Sequence, residues 1–416
     1  MDLIKKYPTK FKVSFSITGI ALEQFELYAP EVIDSFKALA ETGQVEFLGE
    51  TYSHSIAVLQ NTDEFRDQVS LHSSKIKELF GQEPKVFRNT ELVYSDSIGE
   101  IVANMGFTGM LAEGAKFVLG WKSPNFLYYN VLKPKLKLLL RNFKLSDDIA
   151  FRFSNHSWSQ WPLSAETYSS WINSIDKKED VVNLFMDYET FGEHQTKETG
   201  IFGFLKSFPG ELIEKYGMTF YTPSEIVNKF QPVASLSVPF PTSWADEERD
   251  LSAWLGNELQ NEAFQKLYEL RDLVRSSADV DLFKDWEYLQ ASDHFYYMCT
   301  KFFADQAVHN YFNPYQNPYD AFINYMNVLS DFSLRLEQSI NRIKYHDVPL
   351  EELQGELLDR AISEYDQVLK KLRKKRTIRR NAERKVTLKS PDLPEMNVRI
   401  KSSEVKKGKR KKTDLS

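Results

Sequence analysis

Short apolar runs alternate with stretches of helical periodicity along the first 230 residues of the chain. The predicted strands cover residues 11–17, 45–48, 85–89, 107–114, 136–142, 149–154, 181–189 and 218–222. The predicted helices between them cover residues 21–43, 63–81, 97–106, 165–175, 210–217 and 224–230. In the helix at 63–81, apolar side chains recur at helical spacing and Gly81 follows as a stop signal.

This alternation predicts an α/β fold in which βα units surround a parallel sheet. With about seven such units in residues 1–235, a closed or nearly closed βα barrel is favoured over an open sheet. Periodicity by itself does not decide between the two.

A proline-rich passage that contains Pro232, Pro239 and Pro241 marks a predicted domain boundary. Residues 236–376 then show helical periodicity at 248–274, 281–304, 320–343 and 353–375, which predicts an α-helical domain. Residues 377–416 are poor in apolar side chains and rich in Lys and Arg, so we expect a disordered basic tail.

Composition restricts the class of protein. The single cysteine, Cys299, excludes an internal disulfide and fits a cytoplasmic location. No apolar run approaches the roughly 18 residues of a membrane helix, so no membrane partner is expected. Residues 370–416 carry a net charge of +14 and the remainder carries −20. An acidic body argues against nucleic-acid binding, and the basic tail is interpreted as a solvated segment.

Candidate chemistry lies where three predicted strands end. Glu91 follows the strand at 85–89, Asp187 and Glu189 end the strand at 181–189, and Glu50 and His54 follow the strand at 45–48. In a βα barrel the carboxyl ends of the strands carry the active site. Two opposed carboxylates suffice to hydrolyse a glycosidic bond, and Asp187 follows six mostly apolar residues, where a carboxylate is costly without a purpose. The alternative is that such acids cap helices or form ion pairs.

Other chemistries lack their motifs. His54, His156, His194 and His294 stand in no HxxxH or HExxH arrangement and there is no CxxC, so no metal is expected. The sequence has no GxxxxGK[ST], GxGxxG or GxSxG, which leaves nucleotide-dependent and serine catalysis without support, and no cofactor is expected.

Four long motifs follow one another along the chain, at residues 43–55, 87–96, 183–194 and 242–264. In that order they resemble the second, third, fourth and fifth conserved regions of glycoside hydrolase family 57, in its α-amylase branch. Residues 285–298 and 317–332 are also typical of that branch. The resemblance implies a (β/α)7 barrel with a helical domain over the cleft, a retaining mechanism and an α-1,4-glucan or maltooligosaccharide substrate. It makes Glu91 the nucleophile and Asp187 the general acid/base.

Eight further residues are candidate substrate contacts. They are Glu50, His54, Glu189, His194, Trp244, Trp254, Asp293 and His294. The alternatives are structural: a hydrogen-bonded role for His54, a place in the core for either tryptophan, and a tie between helices for Asp293 and His294.

The sequence departs from the family at its start. The family's first region, a strand that ends in His-Gln-Pro, has no counterpart, and residues 1–16 resemble the approach to the second strand. We therefore expect a barrel that is incomplete at its N-terminus, and activity of the chain as given is open. The alternatives are a 4-α-glucanotransferase or branching enzyme of the same family, and a non-catalytic glucan-binding protein inactivated by the missing strand.

Overall fold

A computed structural model describes residues 1–277, 279–301 and 313–344. Met1–Ile343 form one compact unit. The predicted division between a barrel at 1–235 and a helical domain at 236–376 stays a prediction. The predicted helix at 353–375, the basic tail at 377–416 and the last residues of the helix predicted at 281–304 lie outside the described residues.

The described strands form two groups that meet at a single bridge. They are β1 (Val13–Phe15), β2 (Val45–Phe47), β3 (Val86–Arg88), β4 (Gly109–Glu113), β5 (Tyr128–Asn130), β6 (Lys137–Arg141) and β7 (Ala234–Leu236). β1 pairs in parallel with β2, and the second group has the order β3-β4-β6-β5-β7. β3, β4 and β6 are parallel, whereas β5 is antiparallel to β6 and parallel to β7. The predicted α/β fold is confirmed, and closure into a barrel stays a prediction.

The bridge between the two groups joins Gly49, just after β2, to Phe87 of β3. A Cβ atom at Gly49 would lie 2.6 Å from the ring of Phe107 and 3.3 Å from that of Phe87. Only glycine permits this close approach of backbone to side chains. The end of β2 is thereby held against β3, and the loops that follow both strands are brought together.

One helix precedes β1, nine lie between β1 and β7, and the other described helices follow β7. The first ten are α1 (Asp2–Lys6), α2 (Gly19–Tyr28), α3 (Pro30–Ala40), α4 (Thr62–Phe80), α5 (Asp96–Asn104), α6 (Lys116–Leu119), α7 (Phe143–Ala150), α8 (Ala165–Asn173), α9 (Ile201–Gly210) and α10 (Pro223–Lys229). Those after β7 are α11 (Ser252–Leu255), α12 (Glu258–Glu269), α13 (Arg271–Ser277), α14 (Val280–Leu289), α15 (Asp293–Tyr296) and α16 (Pro318–Lys344).

Local chemistry explains where several helices begin and end. The helix predicted at 21–43 is two helices, because Pro30 disfavours the helical conformation of Ala29, whose φ is −151°. α4 begins at an Asn61 side chain that accepts a hydrogen bond from the backbone N–H of Glu64, and it ends at Gly81 in the left-handed region with φ 68°.

Three predicted strands are wrong. Residues 149–150 belong to α7, because the Asn142 side chain caps a helix at this point, and residues 151–154 form turns. Residues 218–222 form no regular secondary structure, and the backbone N–H of Phe220 donates a hydrogen bond to the carbonyl of Lys10 (2.8 Å) without forming a ladder.

Residues 181–186 also form no strand, and isolated backbone and side-chain hydrogen bonds stand where a ladder was expected. The Arg141 side chain donates to the carbonyl of Phe185 (2.7 Å), and the Asn183 side chain donates to the carbonyl of Leu140 (3.0 Å). Strands β5 and β7 were not predicted. Both lie in proline-containing stretches, where sequence patterns favour loops.

A buried carboxylate is one of the groups that tie the helices after β7 to the first part of the chain. Glu64 of α4 accepts hydrogen bonds from Trp286 Nε1 (3.2 Å), Gln290 Nε2 (2.9 Å) and Arg275 Nη2 (3.0 Å). A buried carboxylate is stable only with such partners. Beside it, the backbone N–H of Ser292 donates to the carbonyl of His54 (2.9 Å), which brings α15 over the loop after β2.

Candidate active site

A cleft of about 1540 Å³ opens at the carboxyl ends of β1, β2, β3 and β6 and along residues 181–194. Its lining includes both predicted catalytic carboxyls, Glu91 and Asp187. Of the predicted substrate contacts, it includes Glu50, His54, Glu189, His194, Trp244, Trp254 and Asp293. The strand-end residues chosen from the sequence therefore face one common space.

Glu91 lies on a short 3₁₀ turn, Thr90–Leu92, directly after β3. Its φ is 57° and that of Leu92 is 51°, in the left-handed region that non-glycine residues seldom adopt. Such strain costs on the order of 1–3 kcal/mol per residue and persists only where the surroundings impose it. Here the buried Asn89 side chain donates to the carbonyl of Val93 (2.9 Å), and the hydroxyls of Thr90 and Thr51 are 2.7 Å apart.

Both oxygens of the Glu91 carboxylate have a partner. His54 Nε2 lies 3.0 Å from Oε1, and Trp244 Nε1 donates to Oε2 at 2.7 Å. The side chain is still 19% exposed, so a ligand in the cleft can reach it. Three segments that are distant in sequence thus fix the orientation of this carboxylate.

His54 bridges two carboxylates. Its Nδ1 is 3.4 Å from Glu50 Oε1, opposite the 3.0 Å contact of its Nε2 with Glu91. Glu50 is 1% exposed and also lies 3.5 Å from Arg88 Nη1. Behind it, the backbone N–H of Glu50 donates to Nδ1 of the buried His72 (3.3 Å), whose Nε2 donates to the carbonyl of Ile17 (2.8 Å).

The charges of this group favour an ionised Glu91 beside an imidazolium. Burial would raise the pKa of Glu91, but the hydrogen bond and charge of His54, the charge of Arg88 and the Trp244 hydrogen bond together lower it. Burial would lower the pKa of His54, yet its hydrogen bonds to Glu50 and Glu91 raise it well above the usual value. Burial would also raise the pKa of Glu50, but His54 and Arg88 lower it to about 2.

Asp187 precedes a tight loop that runs to Gln195. The backbone N–H groups of Glu193 and His194 both donate to the carbonyl of Glu189 at 3.0 Å, and the buried Gln195 side chain donates to the carbonyl of Ala150 (2.9 Å). Gly192 has φ 134°, which only glycine adopts readily. The loop is anchored to the end of α7 and presents the Asp187 carboxyl to the cleft.

Asp187 has the opposite protonation tendency to Glu91. Burial and the negative charges of Glu189 and Glu91 raise the pKa of Asp187 to about 7, with Arg88 and His54 opposing. The charge of Glu91 thus contributes to holding a proton on Asp187. One cleft contains a carboxylate that favours ionisation and a carboxyl that retains its proton near neutral pH.

The remaining predicted contacts occupy different environments. Glu189 and Asp293 are exposed in the cleft, and Asp293 adds a negative charge near His54. Trp254 is 1% exposed and lies 6.0 Å from Tyr296 between ring centroids. The structure does not bring His294 into the lining: its Nε2 bonds to the carbonyl of Tyr288 (3.1 Å) and its ring packs on Tyr325.

Five further residues line the cleft to which sequence reasoning assigned no role: Tyr188, Arg141, Asp147, Arg249 and Tyr296. Arg141 ends β6, so the strand-end rule that selected Glu91 would have found it. Tyr188 directly follows Asp187, is 68% exposed and packs edge-on against Phe15 at 5.8 Å.

The described residues hold no group of three or more His, Cys, Asp or Glu side chains arranged to bind a metal ion. Within the same ranges, no helix is both long and apolar enough to cross a membrane.

Known proteins resemble this chain in sequence. The family described as Glycosyl hydrolase family 57 matches residues 1–239. A Methanocaldococcus jannaschii protein, provisionally named an alpha-amylase, is 42% identical over 356 residues, which cover 83% of this chain and 75% of that protein. Alpha-amylase 1 of Dictyoglomus thermophilum is 25% identical over 287 residues, 68% of this chain and 39% of its own length.

Solved structures share the fold. A family 57 branching enzyme from Thermococcus kodakaraensis has a TM-score of 0.62 at 13% identity, with 85% of this chain and 86% of that chain covered. The 4-alpha-glucanotransferase from Thermococcus litoralis has a TM-score of 0.54 at 16% identity, with 71% and 50% covered. With a family match over more than half of its length and a 42% identical relative, the chain belongs to glycosyl hydrolase family 57.

Proposed function

We propose that the chain is a retaining glycoside hydrolase that acts on α-1,4-glucans, with Glu91 as nucleophile and Asp187 as general acid/base. The observation that carries the proposal is that one cleft contains two carboxyls whose surroundings shift their pKa values in opposite directions. Glu91 has a lowered pKa and Asp187 has a pKa raised to about 7. Pairs of acids whose surroundings push their pKa values apart are typical of glycosidases.

In the first step the ionised Glu91 attacks the anomeric carbon, and the bond from that carbon to the leaving oxygen breaks. Asp187 gives its proton to that oxygen, and a covalent glycosyl ester forms on Glu91. In the second step Asp187, now ionised, takes a proton from water, whose oxygen displaces Glu91 with a second inversion. A retaining pair is expected to lie about 5–5.5 Å apart.

The substrate proposal depends on the relatives and on the cleft. Two relatives carry the name alpha-amylase, and the cleft volume of about 1540 Å³ exceeds that of a single sugar ring. Seven residues of the cleft lining are proposed to bind a maltooligosaccharide, either by contacting it or by supporting a residue that does. They are Glu50, His54, Glu189, His194, Trp244, Trp254 and Asp293. His294 is proposed only as a support for α15.

Product analysis tests the proposal. Incubation with maltoheptaose, followed by chromatography and polarimetry or NMR of the new reducing ends, should give shorter maltooligosaccharides released first as the α-anomer. Products longer than the substrate would instead indicate transfer to another sugar. Initial release of the β-anomer would contradict the retaining mechanism, and no cleavage at all would contradict the enzyme assignment.

The pH dependence of kcat/KM should be bell-shaped. The acidic limb should lie below the usual glutamate range, because Glu91 must be ionised and its pKa is lowered. The basic limb should lie near pH 7, because Asp187 must be protonated and loses its proton as the pH rises through about 7.

An α-maltosyl fluoride substrate supplies the control, since fluoride leaves without a proton. Its kcat/KM should lack the basic limb near pH 7. If the fluoride and maltoheptaose gave the same basic limb, the group that titrates would not be the general acid.

A further inference from the structure

Trp244 contacts the proposed nucleophile through both its side chain and its backbone. Its indole Nε1 donates to Glu91 Oε2 at 2.7 Å, and its backbone N–H donates to the carbonyl of Glu91 at 3.2 Å. An indole nitrogen is a donor only, so this contact stabilises the ionised carboxylate. The two bonds also hold the strained turn that contains Glu91.

Trp244 lies in a loop that closes on itself. The backbone N–H of Ser243 donates to the carbonyl of Arg249 (3.0 Å), and the Ser243 hydroxyl donates to the carbonyl of Asp250 (2.6 Å). Asp246 and Arg249 have φ values of 55° and 54°. Two non-glycine residues in the left-handed region indicate a loop whose shape is imposed by its surroundings.

Three arginines surround Trp244. The guanidinium carbons of Arg88 and Arg141 lie 5.0 and 5.5 Å from the centroid of its ring, within the range of cation–π attraction. The third, Arg249, donates from Nη1 to the carbonyl of Trp244 itself. The ring and the backbone of Trp244 are therefore held independently.

Two acids in turn hold two of these arginines. Glu113 Oε2 lies 3.2 Å from Arg141 and 3.8 Å from Arg249. Asp147 lies 2.5 Å from Arg141 and 3.7 Å from Arg249. Glu113 and Arg141 are each 3% exposed, so screening by solvent is weak. We call Glu113, Arg141, Asp147 and Arg249 the latch cluster.

Three members of the latch cluster, Arg141, Asp147 and Arg249, also line the cleft. Glu113 ends β4 much as Glu91 follows β3, but Glu113 is absent from the cleft lining and faces two guanidiniums. Burial raises the pKa of Glu113 to about 7, against the pull of both arginines. The cluster spans β4, β6, α7 and the Trp244 loop, and so joins that loop to the sheet.

We propose that Trp244 is a positioning residue that orients and keeps ionised the attacking carboxylate of Glu91, and that the latch cluster holds Trp244 in place through Arg249 and Arg141. The inference rests on the proposed role of Glu91 as nucleophile. In this proposal the indole N–H of Trp244 acts on the carboxylate of Glu91, whereas a stacking role would place the indole ring against a sugar ring. A stacking role predicts a change in KM, whereas a positioning role predicts a change in kcat and in the acidic limb of the pH profile.

Trp244→Phe is the direct test, because it removes the N–H donor while it keeps an aromatic ring, smaller than the indole, beside Arg88 and Arg141. We expect kcat to fall about 10- to 100-fold, as for the loss of a hydrogen bond to a charged group, with KM little changed. The acidic limb of kcat/KM should move to higher pH. A rise in KM with an unchanged kcat and acidic limb would overturn the proposal in favour of sugar stacking.

Substitutions of Arg249 test the role of the latch cluster. Arg249→Gln should lower kcat and move the acidic limb in the same direction as Trp244→Phe, and Arg249→Lys, which restores the charge, should recover part of the loss. Arg335→Gln is the matched control, since Arg335 forms exposed ion pairs with Asp285 and Asp331 on α14 and α16. Arg335→Gln should leave kcat and the position of the acidic limb unchanged. Equal effects of Arg249→Gln and Arg335→Gln on kcat and on the acidic limb would overturn the proposed role of the latch cluster.

A measurement without turnover separates this inference from the proposed function. The chain has seven tryptophans, and ¹⁹F NMR of 5-fluorotryptophan-labelled protein resolves them, with the Trp244 signal assigned by its loss in Trp244→Phe. That signal should shift as acid titrates Glu91, and Glu91→Gln should abolish the titration. A Trp244 signal indifferent to Glu91→Gln would overturn the inference even in an active enzyme. Full turnover by a Glu91 variant would instead refute the proposed function.

Discussion

Replacement of Glu91 by glycine is expected to lower kcat on maltooligosaccharides on the order of 10⁴-fold or more, as for the removal of other nucleophiles. Glycine suits the site because the backbone of Glu91 has φ 57°, which glycine adopts without strain. After this replacement the positively charged His54 still has a carboxylate partner, because Glu50 Oε1 lies 3.4 Å from its Nδ1. The variant should therefore fold and bind substrate while it lacks the attacking group.

Added azide should restore part of the activity of Glu91→Gly. Azide would enter the space of the lost carboxylate and attack the anomeric carbon directly, with a single inversion, so the product from an α-linked substrate should be a β-glucosyl azide. Glu78→Ala is the matched control, because Glu78 is exposed on α4 and is absent from the cleft lining; it should keep normal turnover. Near-normal turnover by Glu91→Gly would direct the search for a nucleophile to Glu50 and Glu189, which line the same cleft.

Replacement of Asp187 by alanine is expected to separate the two chemical steps. On maltooligosaccharides the rate should fall by orders of magnitude, because the leaving oxygen no longer receives a proton. An activated aryl glucoside or a glycosyl fluoride should still form the ester on Glu91, which would then accumulate because no base activates water. Mass spectrometry of the intact protein should show the added glycosyl mass.

Azide distinguishes the two roles by stereochemistry. With Asp187→Ala it should attack the accumulated ester and give an α-glucosyl azide, the opposite anomer from that of Glu91→Gly. If both variants gave the same anomer, the assignment of nucleophile and acid/base would be wrong.

Asp187 should also reduce the stability of the folded chain at alkaline pH. Its pKa is raised to about 7 in the folded chain against 3.8 for an ordinary aspartate, so the folded state holds a proton that the unfolded state has lost. The contribution to stability is fully present below about pH 4 and is lost as the pH rises through about 7. Thermal unfolding at pH 8 should accordingly occur at a higher temperature in Asp187→Asn than in the parent chain, and a lower temperature would contradict the proposed burial of an unpaired carboxyl.

Local patterns explain why the catalytic candidates could be chosen before any coordinates. Glu91 and Asp187 each follow an apolar run, and side chains at the carboxyl ends of neighbouring extended segments meet at one edge of a sheet. Such signals act over a few residues, which is the range at which a sequence determines structure directly.

Local patterns failed where isolated tertiary hydrogen bonds stand in place of regular strand pairing. Residues 181–186 have the composition of a buried strand, yet they are joined to their neighbours by separate bonds, among them those of the Arg141 and Asn183 side chains. Residues 149–154 have the composition of a strand as well, and the Asn142 cap turns their start into the end of α7. Apolar composition signals burial, and hydrogen-bond partners decide the backbone conformation.

By itself, the sequence determined the α/β alternation, the helical character of residues after β7 and the set of acids able to reach one cleft, because periodicity and strand ends are local properties. Only the tertiary structure decided what each acid does. Glu91 and Glu113 both stand at strand ends, but contacts 37 and 153 residues away in sequence bring His54 and Trp244 to Glu91, whereas arginines neutralise Glu113 outside the cleft. The pKa of a carboxyl depends on its burial and on the charges within a few ångströms, and a linear sequence does not specify those neighbours.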